Sequence, residues 1–105
     1  MAKALGMVEV AGLCPAIATC DVMVKAANVT ILEIERAKGG GYTTVKVEGD
    51  VGAVEASCRA GSAFAKEEGY LVSVKIIPRP NPSTEKWFMK HEFDRKVLYR
   101  REIMT

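Results

Sequence analysis

The chain has 105 residues, 49% of them hydrophobic and 27% charged, a length and composition that fit one folded domain and exclude a disordered segment. Fifteen Lys and Arg against thirteen Asp and Glu leave a formal charge of +2, so neither nucleic acid nor a membrane is expected as a partner. The opening Met1-Ala2-Lys3-Ala4-Leu5-Gly6 lacks the apolar run of a secretory signal, and no later segment reaches the ~18 apolar residues of a membrane span, which predicts a soluble, cytoplasmic protein.

The apolar run from Ala4 to Val10 predicts a first strand, ended by Gly12. Pro15 suits the first position of a helix, where its missing N–H has no intrahelical acceptor, and the helix runs to about Ala27. Ile17, Cys20, Val24 and Ala27 recur at helical steps as its expected buried stripe, with Asp21 and Lys25 as an i, i+4 pair. Val29 to Arg36 alternates as a strand, with Val29, Ile31 and Glu33 on one face and Thr30, Leu32 and Ile34 on the other. Tyr42 to Glu48 repeats the signal through Thr43, Val45 and Val47, and the turn sequence Lys38-Gly39-Gly40-Gly41 between the two predicts a hairpin.

Asp50 is placed to cap a second helix from Val51 to about Glu68, its carboxylate accepting from free backbone N–H groups. Val51, Val54, Cys58, Gly61 and Ala65 form a narrow stripe of mostly small residues that lets this helix approach a sheet closely, and Gly69 stops it. Tyr70 to Ile77 is the fourth strand, closed by Pro78-Arg79-Pro80-Asn81-Pro82. The order β-α-β-β-α-β predicts an α+β, two-layer sandwich: one antiparallel sheet, both helices on one face, and a second face that needs a cover or a partner. The domain is expected to span residues 1–82 and a C-terminal extension residues 83–105. Phe93 and Val97, at helical spacing with Phe88 and Met89 nearby, leave two readings of the extension: a short amphipathic helix at an interface, or a loosely ordered basic terminus.

Few residues invite a chemical reading. Cys14, Cys20 and Cys58 have no C-x-x-C spacing and no nearby His, so three reduced, buried or half-buried thiols are expected, and no metal. The triple glycine is a poor phosphate loop, because it joins two strands and its lysine precedes the glycines, where a P-loop has Gly-Lys-Ser/Thr leading into a helix. His91 sits among Lys90, Glu92 and Asp94 in the sequence and is expected to be a solvated side chain. Neither Glu33 with Glu35 nor Glu67 with Glu68 is marked as an acid–base pair, so no catalytic residue and no cofactor is expected.

Four segments carry a resemblance. Ala4-Leu5-Gly6-Met7-Val8-Glu9, Met23-Val24-Lys25-Ala26-Ala27-Asn28-Val29, Gly49-Asp50-Val51-Gly52-Ala53-Val54 and Ile76-Ile77-Pro78-Arg79-Pro80 resemble, in order and over residues 4 to about 82, the signature segments of the single-domain, hexamer-forming shell proteins of bacterial microcompartments. The resemblance implies a structural protein of a microcompartment shell in the cytoplasm rather than an enzyme. It implies a homohexamer that meets other shell proteins edge to edge around encapsulated enzymes, with a central pore for small polar or anionic metabolites. It assigns Lys38, Gly39, Gly40 and Gly41 to the pore, and Lys25, Asn28 and Arg79 to the tile–tile edge. Two departures stand out: Thr30 to Lys38 is long by one residue, and Lys38 stands where many members have an apolar residue. A small-molecule-binding regulatory protein of similar α+β topology is the alternative.

Overall fold

The computed structural model describes residues 3–88. Strand β1 (Ala4–Ala11), helix α1 (Leu13–Ala26), strands β2 (Thr30–Arg36) and β3 (Tyr42–Gly49), helix α2 (Val51–Glu67), strand β4 (Leu71–Ile77) and helix α3 (Pro82–Phe88) follow in chain order. The four strands form one antiparallel sheet in the order β2-β3-β1-β4. The α+β sandwich expected from the sequence is therefore the fold, with α1 and α2 packed on one sheet face and on each other.

Between the layers lie Val8 and Val10 of β1, Val45 and Val47 of β3, Met23 and Ala16 of α1, and Val54, Cys58 and Ala65 of α2, all buried. The Ser57 hydroxyl donates to the Met23 carbonyl oxygen at 3.0 Å, which ties α2 to α1 without leaving a buried hydroxyl unsatisfied. Burial pushes the Cys58 thiol up to about 11, so it stays protonated; burial and then the Asp21 charge also raise Cys20. Cys14 departs from expectation, since it lies exposed in the first turn of α1.

Several local expectations change. Helix α1 begins at Leu13, which places Pro15 third in the helix; its missing N–H is still among the four that lack an intrahelical acceptor. The buried stripe of α1 is Ala16, Thr19 and Met23, whereas Ile17 and Val24 are 54% and 41% exposed. Consecutive helical residues are rotated by about 100°, and α1 carries apolar groups on two adjacent stripes, so periodicity alone does not say which faces the core. On α2, Val51 is exposed and Ser57 joins the buried stripe. Asp50 occupies the N-cap with extended backbone, but its side chain makes no capping bond; its carbonyl accepts from Val54 N at 2.9 Å. At the other end, Gly69 N donates to Lys66 O and Tyr70 N to Ala65 O, a Schellman closure.

The alternation expected of β2 breaks at Leu32. Ile31 pairs with Val47 and Glu33 with Lys46, so the register skips Leu32, a β-bulge that puts Ile34 on the core face beside Ile31 and Glu33 on the opposite one. The strand itself thus takes up one extra residue. The amphipathic pattern from Phe88 to Val97, and His91, lie outside the described residues apart from Phe88 itself, which ends α3.

Candidate functional site

Register fixes where the candidate residues lie. One row across the sheet runs Thr30, Glu48, Leu5, Ile77; toward the other end, another runs Arg36, Thr43, Val10, Leu71. Asn28 lies two residues before the start of β2 in the first row and Arg79 two residues beyond the end of β4 in the same row, while Lys25 sits in the last turn of α1, three residues before Asn28. The hairpin Lys38–Gly41 leaves the second row. At ~3.3 Å per strand residue, the glycine turn and the Lys25, Asn28, Arg79 group are about 20 Å apart at opposite ends of one domain. The fold therefore gathers Lys25 with Asn28, sets Arg79 at the same end on the far edge of the sheet, and keeps all three away from the turn.

Lys25, Asn28, Lys38, Gly39, Gly40, Gly41 and Arg79 are all solvent-exposed. The Lys25 ammonium meets the Asp21 carboxylate at 2.7 Å, the i, i+4 pair the sequence predicts; both side chains are well exposed, so the pair is worth only about 0.3–0.5 kcal/mol. In the turn, Gly39 and Gly41 have φ of 87° and 74°, a conformation side chains disfavour, and a Cβ on any of the three glycines meets nothing within 4 Å. Backbone geometry therefore asks for glycine at 39 and 41, and the tip is bare backbone surrounded by open space. Ala37 N donates to Tyr42 O at 2.8 Å and closes its base.

Two features escaped the sequence reading. Arg36, exposed beside the turn, lines an open depression with Gly12, Leu13, Gly41 and Tyr42, so a second cation stands near Lys38. On the sheet face away from α1 and α2, Lys46 is buried to 8% exposure: its ammonium pairs with the Glu35 carboxylate, donates to the Phe88 carbonyl oxygen at 3.0 Å and lies 5.0 Å from the Phe88 ring centre. A lysine on the polar side of a half-buried strand reads as solvated until α3 is seen folded over it.

No group of three or more His, Cys, Asp or Glu among the described residues could hold a metal ion, and no described helix is long and apolar enough to cross a membrane.

A four-stranded antiparallel sheet in the order β2-β3-β1-β4, two helices on one face and an exposed glycine hairpin at one end define a small α+β domain. The family model described as BMC domain matches residues 4–80, and this chain belongs to that family. It is 50% identical over 84 residues to the bacterial microcompartment shell protein PduA of Citrobacter freundii, a match covering 80% of this chain and 89% of that protein. It is 46% identical over 86 residues to the bacterial microcompartment shell protein EutM of Escherichia coli K12, covering 82% and 88% respectively. Among solved structures, a microcompartments protein from Desulfitobacterium hafniense DCB superposes with a TM-score of 0.76 at 36% identity, over 82% of this chain and 48% of that longer one.

Proposed function

We propose that this chain is a structural subunit of a bacterial microcompartment shell, forming a cyclic homohexamer that tiles edge to edge with other shell proteins around encapsulated enzymes. The observation that carries this reading is the separation of the two candidate groups: a bare glycine turn at one end of the sheet and a polar trio at the other, as a wedge with one end at an axis and the other at a rim requires. Family membership favours this reading over a regulatory binding protein, and the role is read as structural rather than catalytic. Residues 1–82 are assigned to the shell domain and 83–105 to an extension of it.

Exposed apolar groups supply material for closing a ring. Leu13, Ile17 and Val24 line one side of α1, and Val72 and Val74 lie on β4, so two different surfaces of the monomer carry apolar side chains in water. A rotationally closed ring uses two unlike surfaces of this kind, one from each neighbour. In such a ring, six turns of Gly39-Gly40-Gly41 line the opening with backbone N–H groups, which favour polar or anionic solutes over apolar ones. Lys38 and Arg36 add positive charge at that end.

Two expected outcomes separate axis from rim. Lys25→Ala and Arg79→Ala each change stability by less than about 0.5 kcal/mol, since both residues are exposed, and leave the ring intact while abolishing sheets seen by electron microscopy. Intact sheets from the double variant contradict the edge assignment. Lys38→Glu lowers the permeation of small anions about tenfold relative to neutral solutes of equal size in a flux assay on assembled shells, because reversing a ring of charge at a constriction reverses its focusing of ions. Equal permeabilities before and after show that Lys38 is not in the path.

A further inference from the structure

We infer that the basic C-terminal segment 89–105 docks on the outer face of its own chain's sheet, the face opposite α1 and α2, and covers it. Four observations converge on this occupant. First, alternation and pairing put the strand residues Glu9, Glu33, Glu35 and Glu48 on this face with Lys46 and Lys75 as the strand cations there, so the strands give it a net acidic surface. Second, Glu33 stands on an edge strand and on the face the two long helices do not reach, yet it is only 7% exposed; something covers it from that side. Third, α3 brings the chain there: Phe88, the last described residue, is buried against Lys46, held by the carbonyl and ring contacts already described.

The fourth observation is charge complementarity. Segment 89–105 carries Lys90, Arg95, Lys96, Arg100 and Arg101 against Glu92, Asp94 and Glu102. Its Phe93, Val97, Leu98 and Tyr99 can meet the apolar members of the same face, Leu5, Met7 and Ile77. The sheet is only about 15 Å from edge to edge at ~4.8 Å per strand, well within the reach of this segment. Lys46 is the fixed end of the arrangement. It pairs with Glu35 and anchors Phe88.

Zero-length carbodiimide cross-linking of the full-length protein tests this, using assemblies reconstituted from equal parts of 15N-labelled and unlabelled chains. The expected products join Lys90 or Lys96 to Glu33, Glu35, Glu48 or Glu9, with both peptides of one isotope. Mixed-isotope products mean that a neighbouring copy supplies the tail, and absence of these products means that the face is open to another partner; either overturns the proposal. Because a monomer also gives single-isotope products, failure of the ring reading and failure of this one are distinguishable. In parallel, amide exchange across 89–105 should be at least tenfold slower than in a free peptide of the same sequence. Charge reversal within the segment (Arg95→Glu, Lys96→Glu, Arg100→Glu, Arg101→Glu), which leaves the domain untouched, should bring it back to within twofold. Protection unaffected by the reversal, or absent in the unmodified protein, contradicts docking by charge.

Discussion

Replacing Gly6 by valine is expected to destabilise the domain by about 3 kcal/mol. Gly6 lies where β1 passes under α2. A Cβ built there comes within 2.5 Å of the Cys58 sulfur and 2.8 Å of a Val54 methyl, distances that real Cβ atoms do not show, with a Val47 methyl in tight contact at 3.1 Å. Neither Cys58 nor Val54 has a long flexible side chain to swing aside, and both are fully buried among other core groups. The new atoms therefore push α2 off the sheet, and the core beneath it loses contact. Valine's preference for strands, at most about 1 kcal/mol, offsets little of this. Denaturant midpoints check the expectation: Gly6→Val falls well below the parent, Gly6→Ala falls between, and Gly40→Ala, with open space around its Cβ, stays within about 0.5 kcal/mol. A Gly6→Val protein as stable as the parent would mean that β1 and α2 do not approach this closely.

The second large effect lies between the helices. Met23 is the largest fully buried side chain among the described residues, and its Cγ and Sδ sit 2.5 and 2.9 Å from where a Cβ on Gly61 would be. Met23→Ala should cost about 3 kcal/mol through lost burial and the cavity left behind. Gly61→Ala alone brings two opposed terms, about 1 kcal/mol of helix propensity gained and the displacement of a flexible methionine. In the double variant the Gly61→Ala methyl enters the space that Met23 vacates, so the pair should be less destabilised than the sum of the singles by about 1 kcal/mol. Additive values would contradict the α1–α2 contact described above.

How far the sequence carried is clearest at particular residues. The glycine turn, the hairpin, the stop at Gly69 and the Asp21–Lys25 pair were legible because each is a local matter of dihedral freedom or of spacing on one helix. The facing of α1 was not. Leu13, Ile17 and Val24 are as apolar as the residues that face inward, and in this subunit they point to solvent; what selects between two apolar stripes is the shape of the surface below, including the close approach that Gly61 permits at Met23. The bulge at Leu32 was equally hidden, since skipping one residue leaves local composition unchanged while exchanging the faces of Ile34 and Glu33. Lys46 is the third case. Its burial depends on α3 returning across the sheet from 42 residues later in the chain, a contact no local pattern encodes.

The candidate site divides the same way. Membership of the BMC domain family was readable from four segments because they combine chain order, spacing and side-chain identity. Lys25, Asn28, Lys38, Gly39 to Gly41 and Arg79 were named on that resemblance; the fold adds their distribution to the two ends of one sheet and a second cation, Arg36, beside the turn. The exposed apolar stripe on α1 and the bare valines of β4, which look like flaws in an isolated subunit, are what a subunit meant for a ring would carry.

That ring is the central claim, and electron microscopy of the purified full-length protein tests it most directly. The account predicts particles with six-fold symmetry, a central opening bordered by Gly39–Gly41, and Lys25, Asn28 and Arg79 at the outer rim. A protein that stays monomeric at every concentration, or a ring with the glycine turns on its outer edge, would contradict it.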